Sequence, residues 1–136
     1  MTLCDTGPLV ALIDRDDLHR ERCVEALKVL PPRPLLVTWP CLTEAMYLLG
    51  RAGGMAAQEE LWGYLADRLV VLHAPQDREW ERMRELMRQY SDARMDLANA
   101  SVVTAAEYLG LVRVFTLDSH FYAYRISGKL PFEIVP

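Results

Sequence analysis

Five side chains bear oxygen groups at places where a sheet edge could collect them. They are Asp5 in LCDTGPL, Glu44 in TWPCLTEAMYLL, Asp96 and Asn99 in MDLANASVV, and Asp118 in VFTLDSH. Carboxylates gathered at one point repel one another, and such a cluster normally persists because a cation offsets the repulsion. An all-oxygen donor set favours hard, octahedral Mg²⁺ or Mn²⁺ over zinc.

Each residue taken singly has an ordinary alternative. Asp5, beside Thr6, Gly7 and Pro8, reads equally as a turn residue or a helix cap, and Asp118 before Ser119 could cap a short helix. Asp96 stands directly ahead of an apolar run, where Asp is among the best caps. Glu44 is harder to explain away, because a strongly apolar helix rarely carries a carboxylate inward without a partner. His19, His73 and His120 show no ligand spacing; only His120 adjoins the expected rim, where it could touch a phosphate.

Positioning these groups requires a particular architecture. Leu3-Cys4, Leu35 to Val37, Leu69 to Leu72, Val112 to Leu117 and Phe132 to Val135 read as short buried strands. Between them, Asp16 to Leu30 has amphipathic spacing. Pro40 suits the first turn of a helix running to about Leu49 and closed by Gly50, and Met55 to Ala66 forms another after the Gly53-Gly54 break. Gln76 to Tyr90 puts Trp80, Met83, Met87 and Tyr90 on one stripe, and Asp96 to Leu109 ends in Gly110. Strands alternating with helices imply an α/β fold with a parallel sheet covered on both faces. Ligands bind beyond the C-terminal ends of such strands, where Asp5 and Asp118 would emerge.

The chain has 136 residues, 51% apolar and 25% charged, as expected of a single globular domain spanning 1–136. A formal charge of −4 disfavours non-specific coating of nucleic acid. No run reaches the roughly 18 apolar residues of a membrane span, and the N-terminus lacks the basic start of a signal peptide. Cys4, Cys23 and Cys41 fit neither a disulfide framework nor a zinc knuckle, so a reducing cytoplasm is expected. There is no glycine-rich phosphate loop and no nucleophile elbow.

Taken together, DTGPLVALID, LTEAMYLL, DLANASVVTAAEYLG and VFTLDSHF resemble, in order and across nearly the whole chain, the PIN-domain ribonucleases, especially the VapC-type toxins of toxin–antitoxin pairs. The resemblance implies a PIN-like α/β/α sandwich around a parallel sheet of about five strands. It also implies Mg²⁺- or Mn²⁺-dependent cleavage of RNA (tRNA, rRNA or mRNA), silencing by a cognate antitoxin, and a homodimer. Asp5, Glu44 and Asp118 take three of the family's acidic positions. The fourth, in a pattern like DLADAS, falls at Asn99, while Asp96 matches a second acid that many relatives carry one turn earlier.

On this reading Asp5, Asp96, Asn99 and Asp118 are the metal-site residues, and Glu44 binds metal or positions water. Thr6, Thr116 and Ser119 orient the carboxylates by hydrogen bonds. Asn99 can offer a carbonyl oxygen but no charge, so a weaker metal site is expected. An antitoxin groove would lie among the first four helices, with Leu12, Leu48 and Trp62 as candidate apolar contacts. Two rivals stand beside the nuclease. One is a catalytically impaired PIN-like domain that binds RNA or a protein without cutting. The other is a phosphoacceptor domain, which lacks a suitably placed lysine, since only Lys28 and Lys129 exist.

Overall fold

The computed structural model describes residues 1–136. Five strands form one parallel sheet: β1 (Thr2–Cys4), β2 (Leu35–Thr38), β3 (Val70–His73), β4 (Arg113–Phe115) and, after a small hairpin, β7 (Glu133–Val135). The hairpin strands β5 (Arg125–Ile126) and β6 (Leu130–Pro131) pair antiparallel to each other. The helices are α1 (Thr6–Ile13), α2 (Arg20–Val29), α3 (Trp39–Ala66), α4 (Glu79–Gln89) and α5 (Leu97–Leu109). They flank the sheet as the α/β/α expectation required.

Strand order is β3-β2-β1-β4-β7. The chain therefore steps outward from β1 through β2 to β3, then returns to the other side of β1 with β4. Helix crossovers make this winding possible, and the point of reversal, between β1 and β4, is where loops diverge and leave a crevice. Cys4 stands in register with Phe115, and the Asp5 amide extends the pairing by donating to the Phe115 carbonyl at 2.9 Å. Every residue of β1 and β2 is buried, which is why both read as continuous apolar runs.

Several boundaries differ from the sequence expectation. Gly50 does not close a helix: α3 runs on past it and breaks at Gly54, whose φ of 65° is open to glycine at little cost. The second half of α3 folds back, so Gln58 Nε2 donates to the Met46 carbonyl at 3.0 Å. Gly50 serves that return, because a Cβ there would stand 2.6 Å from the Gln58 side chain.

The buried side of α4 is also displaced from the expected stripe. Glu79 and Leu86 are fully buried, whereas Trp80 and Met87 face solvent. Burial of Glu79 is the cause: its carboxylate meets His73 Nε2 at 2.9 Å and accepts the Gln76 amide at 2.6 Å, tying the start of α4 to the end of β3. A buried acid satisfied in this way outweighs a slightly better apolar phase. Leu12 is buried in the core rather than exposed, while Leu48 and Trp62 lie on the surface. No helix is long and apolar enough to cross a membrane.

Candidate active site

The site is assembled by the C-terminal edge of the sheet. Asp5 leaves β1 and becomes the N-cap of α1, its Oδ1 accepting the Thr6 amide at 2.8 Å. Asp118 lies beyond β4 and caps a short 3₁₀ turn, Ser119–Tyr122, accepting the His120 amide at 2.9 Å. Helix α3 begins directly after β2, which puts Glu44 on its second turn at the same edge. Helix α5 precedes β4 and packs back along the sheet, so its N-cap Asp96 and its residue Asn99 arrive there as well.

A cavity of about 270 Å³ is lined by Asp5, Glu44, Asp96, Asn99 and Asp118, together with Thr6 and its neighbours. All five candidates from the sequence thus face one space. Three of the four acids are N-caps, where the unpaired amides and the helix dipole offset negative charge.

Asp5 is the deepest group, only 6% exposed. Its Oδ2 accepts the Thr116 hydroxyl at 2.7 Å, and the Cys41 thiol approaches Oδ1 at 3.6 Å. Burial pushes its carboxyl above the ordinary range, the Thr116 and Thr6 hydrogen bonds pull it back, and the Asp118 charge pushes it up again. Thr116 does double duty: its hydroxyl oxygen also accepts the Asp118 amide at 3.0 Å, locking the two acids to one another. The sequence expectation placed Thr6 and Ser119 beside Thr116 in this role. Thr6 holds Asp5 through its backbone amide, while its hydroxyl points to the Cys41 carbonyl at 3.4 Å. Ser119 is exposed and makes no side-chain hydrogen bond; His120 takes that place, its Nδ1 2.7 Å from Asp118 Oδ1.

Glu44 reaches the rim with the other four groups, as expected, but it is exposed there rather than carried inward by its apolar helix. Partial burial raises its pKa, the charges of Asp96 and Asp5 add to the rise, and a hydrogen bond from Thr6 opposes it.

Asn99 is buried, and both ends of its amide are engaged. Oδ1 accepts the Asp96 amide at 3.2 Å, while Nδ2 donates to Asp118 Oδ2 at 3.1 Å. Asp96 Oδ1 accepts the Asn99 amide at 2.8 Å, completing a capping box. A flipped amide would set NH₂ against N–H and oxygen against carboxylate, so the hydrogen bonds determine its orientation. The carbonyl oxygen that could ligate a cation is turned to the backbone.

The donor set fits a divalent cation in its chemistry: four carboxylates on one small cavity, two of them, Asp5 and Glu44, pushed up by burial and by the charges of neighbouring acids. In this arrangement Asp5, Asp96 and Asp118 each accept from the protein's own donors, and no three acidic, histidine or cysteine groups converge within ligating reach. Asp5, Asp96 and Asp118 are the groups that could take it.

Two contributors escaped the sequence reading. Cys41 lies one turn before Glu44 and faces Asp5, and the i, i+3 spacing was the available signal. Tyr124 is fully buried with its hydroxyl unpartnered. Burial first, then the charges of Asp118, Asp96 and Asp5, hold its ionisation well above the usual tyrosine range. Nothing local in the sequence ties it to the acids: Tyr124 stands just ahead of the hairpin, with its ring packed against Tyr90 and Phe121.

An acidic crevice at the switch point of a five-stranded parallel sheet defines the class of protein. A search of curated proteins finds no match. The PIN domain family model matches residues 2–126, and the chain belongs to that family. Among solved structures it is similar to VapC20 of Mycobacterium tuberculosis, a sarcin-ricin loop cleaving toxin, with 17% identity, a TM-score of 0.82, and coverage of 90% of this chain and 94% of that one. A toxin–antitoxin complex from Klebsiella pneumoniae gives 19% identity, a TM-score of 0.71 and coverage of 98% and 100%. VapBC-1 of nontypeable Haemophilus influenzae gives 12%, 0.59, and 86% of each chain.

Proposed function

We propose that this protein is an endoribonuclease dependent on Mg²⁺ or Mn²⁺, the toxin of a toxin–antitoxin pair, held in check by a cognate antitoxin and working as a homodimer. The observation that carries the reading is the convergence of Asp5, Glu44, Asp96 and Asp118 on one cavity of a PIN-family fold. The toxin and toxin–antitoxin structures it resembles support the biological setting.

Asp5, Asp96 and Asp118 would hold a divalent cation, which when bound would polarise the scissile phosphate and lower the pKa of the attacking water. The chain does the rest. Thr116 fixes the mutual orientation of Asp5 and Asp118, so the cation's acids need little rearrangement. Glu44, exposed on the rim and with a raised pKa, would orient the water and accept its proton. His120 is held through Nδ1, which leaves Nε2 open to the solvent side for a substrate phosphate.

The test is incubation of purified protein with labelled tRNA and rRNA fragments, with Mn²⁺, with EDTA and as Asp5→Ala. Cleavage is expected only in the unmodified protein with metal. Cleavage that survives unchanged in Asp5→Ala overturns the reading.

The orientation of Asn99 favours a second reading, a PIN domain that binds RNA or a protein partner without cutting. Equal RNA affinity with no turnover, even in Asn99→Asp, would establish it.

A further inference from the structure

Beside the acidic cavity lies a larger cleft of about 660 Å³, within the size range of small-ligand sites. The two share Glu44, Asp96 and Ala98, so they form one continuous surface. The outer walls of the second cleft are aromatic: Trp39 and Tyr47 are 49% and 61% exposed on α3. Arg51 sits 5.9 Å from the centre of the Tyr47 ring and donates to its hydroxyl at 3.2 Å. Leu97, the first residue of α5, belongs both to this cleft and to a third depression on α4 that contains Trp80, Arg84 and Arg88. Arg84 and Arg88 are exposed and form no salt bridge, although Arg82 on the same helix and Arg78 just before it are both paired with glutamates.

Acids, then exposed aromatics, then unpaired arginines follow in order along one face. Single-stranded nucleic acid is bound by that combination, with stacking platforms for bases and cations for phosphates. We propose that single-stranded RNA runs from the acidic cavity across Trp39 and Tyr47 toward Arg84 and Arg88, with a base next to the scissile phosphate stacked on Trp39. This deepens the endonuclease reading and rests on it. The alternative occupant, a second copy of the chain, is disfavoured by charge: Glu44 and Asp96 wall the cleft, whereas the centres of protein interfaces are depleted in acidic residues. The acids next to Trp39 also explain why a base, not a phosphate, occupies this stretch, while the phosphates further along meet arginine.

The test is fluorescence anisotropy with a fluorescein-labelled single-stranded RNA of roughly a dozen nucleotides in EDTA, over a salt series. Trp39→Ala should weaken binding about 5- to 160-fold with an unchanged salt slope, as expected for a lost stacking contact. Trp39→Phe, which keeps a ring, should stay within about threefold. Arg84→Ala and Arg88→Ala should each lower the salt slope by about 0.7, the value for one single-strand phosphate contact. Trp62→Ala, which lines neither cleft, serves as the control.

Unchanged affinity in Trp39→Ala overturns the track, as does a wild-type protein that binds no RNA. A parallel sedimentation measurement in which Trp39→Ala turns dimer into monomer, with binding lost in step, also overturns it and makes the second copy the occupant. Trp39-dependent binding with no Mn²⁺-dependent cleavage would support the track and sink the nuclease reading. Normal cleavage with an unchanged KM in Trp39→Ala would do the reverse.

Discussion

The side-chain amide of Asn99 donates to Asp118 Oδ2 at 3.1 Å, filling with a hydrogen bond the place where a second carboxylate would have brought repulsion. If the site holds a cation as proposed, Asn99 is expected to trade cation affinity for stability of the metal-free site. In Asn99→Asp that contact becomes two charges about 4 Å apart, worth roughly 4 kcal/mol of repulsion at an effective dielectric of 20 before relaxation. The metal-free variant should melt at a lower temperature than the wild type. Its Mn²⁺ affinity, measured by calorimetry, should rise at least about tenfold, a modest share of that repulsion. Equal affinities would show that Asn99 is irrelevant to the cation.

Thr116 bridges Asp5 Oδ2 and the Asp118 amide. Thr116→Val keeps the shape and removes both bonds, leaving a buried carboxylate oxygen and an amide without partners. A loss of about 1–3 kcal/mol in unfolding free energy is expected by urea titration. Mn²⁺ affinity should fall as well, since the two acids lose their common anchor; a stability loss alone would confine Thr116 to a structural role.

Metal-free stability should depend on pH in a defined direction. Asp5 and Glu44 have pKa values raised in the fold, so between the unfolded carboxylate range and those raised values the native state holds more protons than the unfolded chain. Stability is then greatest at low pH by this contribution and declines as pH rises through the window. Thermal melts in EDTA should show that decline. Near neutral pH, Mn²⁺ at about 100 times its dissociation constant should add about 2.7 kcal/mol. A melting temperature that ignores Mn²⁺ would argue against a folded-state cation site.

All three cysteines are free and buried. Burial and the neighbouring Asp5 charge push the Cys41 thiol up to about 12, and burial first, then Asp17, push Cys23 up to about 11. Raised values keep these thiols protonated and unreactive at pH 8. Ellman's reagent should find almost no thiol in the native protein and all three in guanidinium. A fast-reacting Cys41 in the native protein would mean that the packing of α3 on α1 and α5 opens readily, since its thiol is shielded there.

The sequence by itself determined the alternation of strands and helices, the parallel sheet, and the four acids with Asn99 at its C-terminal edge. Those features are local: strands buried on both faces must be continuously apolar, and caps must stand directly before helices. Asp5 and Asp118 were legible for that reason, being tied to strand ends by one or a few residues. Tertiary structure alone decided how those groups are used. The Asn99 amide could have turned either way until Asp118, nineteen positions later, supplied the acceptor. Ser119 stands nearer to Asp118 in sequence than His120 does, yet the 3₁₀ turn brought the His120 ring to it. The buried face of α4 was set by the contact of Glu79 with His73, a hydrogen-bonding geometry that hydrophobic periodicity does not encode. Glu44 reached the rim as its place one turn after β2 implied, and only its exposure there was left to the tertiary structure. Hydrogen-bond partners distant in sequence exist only once the chain has wound through its switch point, and their directions decide which oxygen is left for a cation.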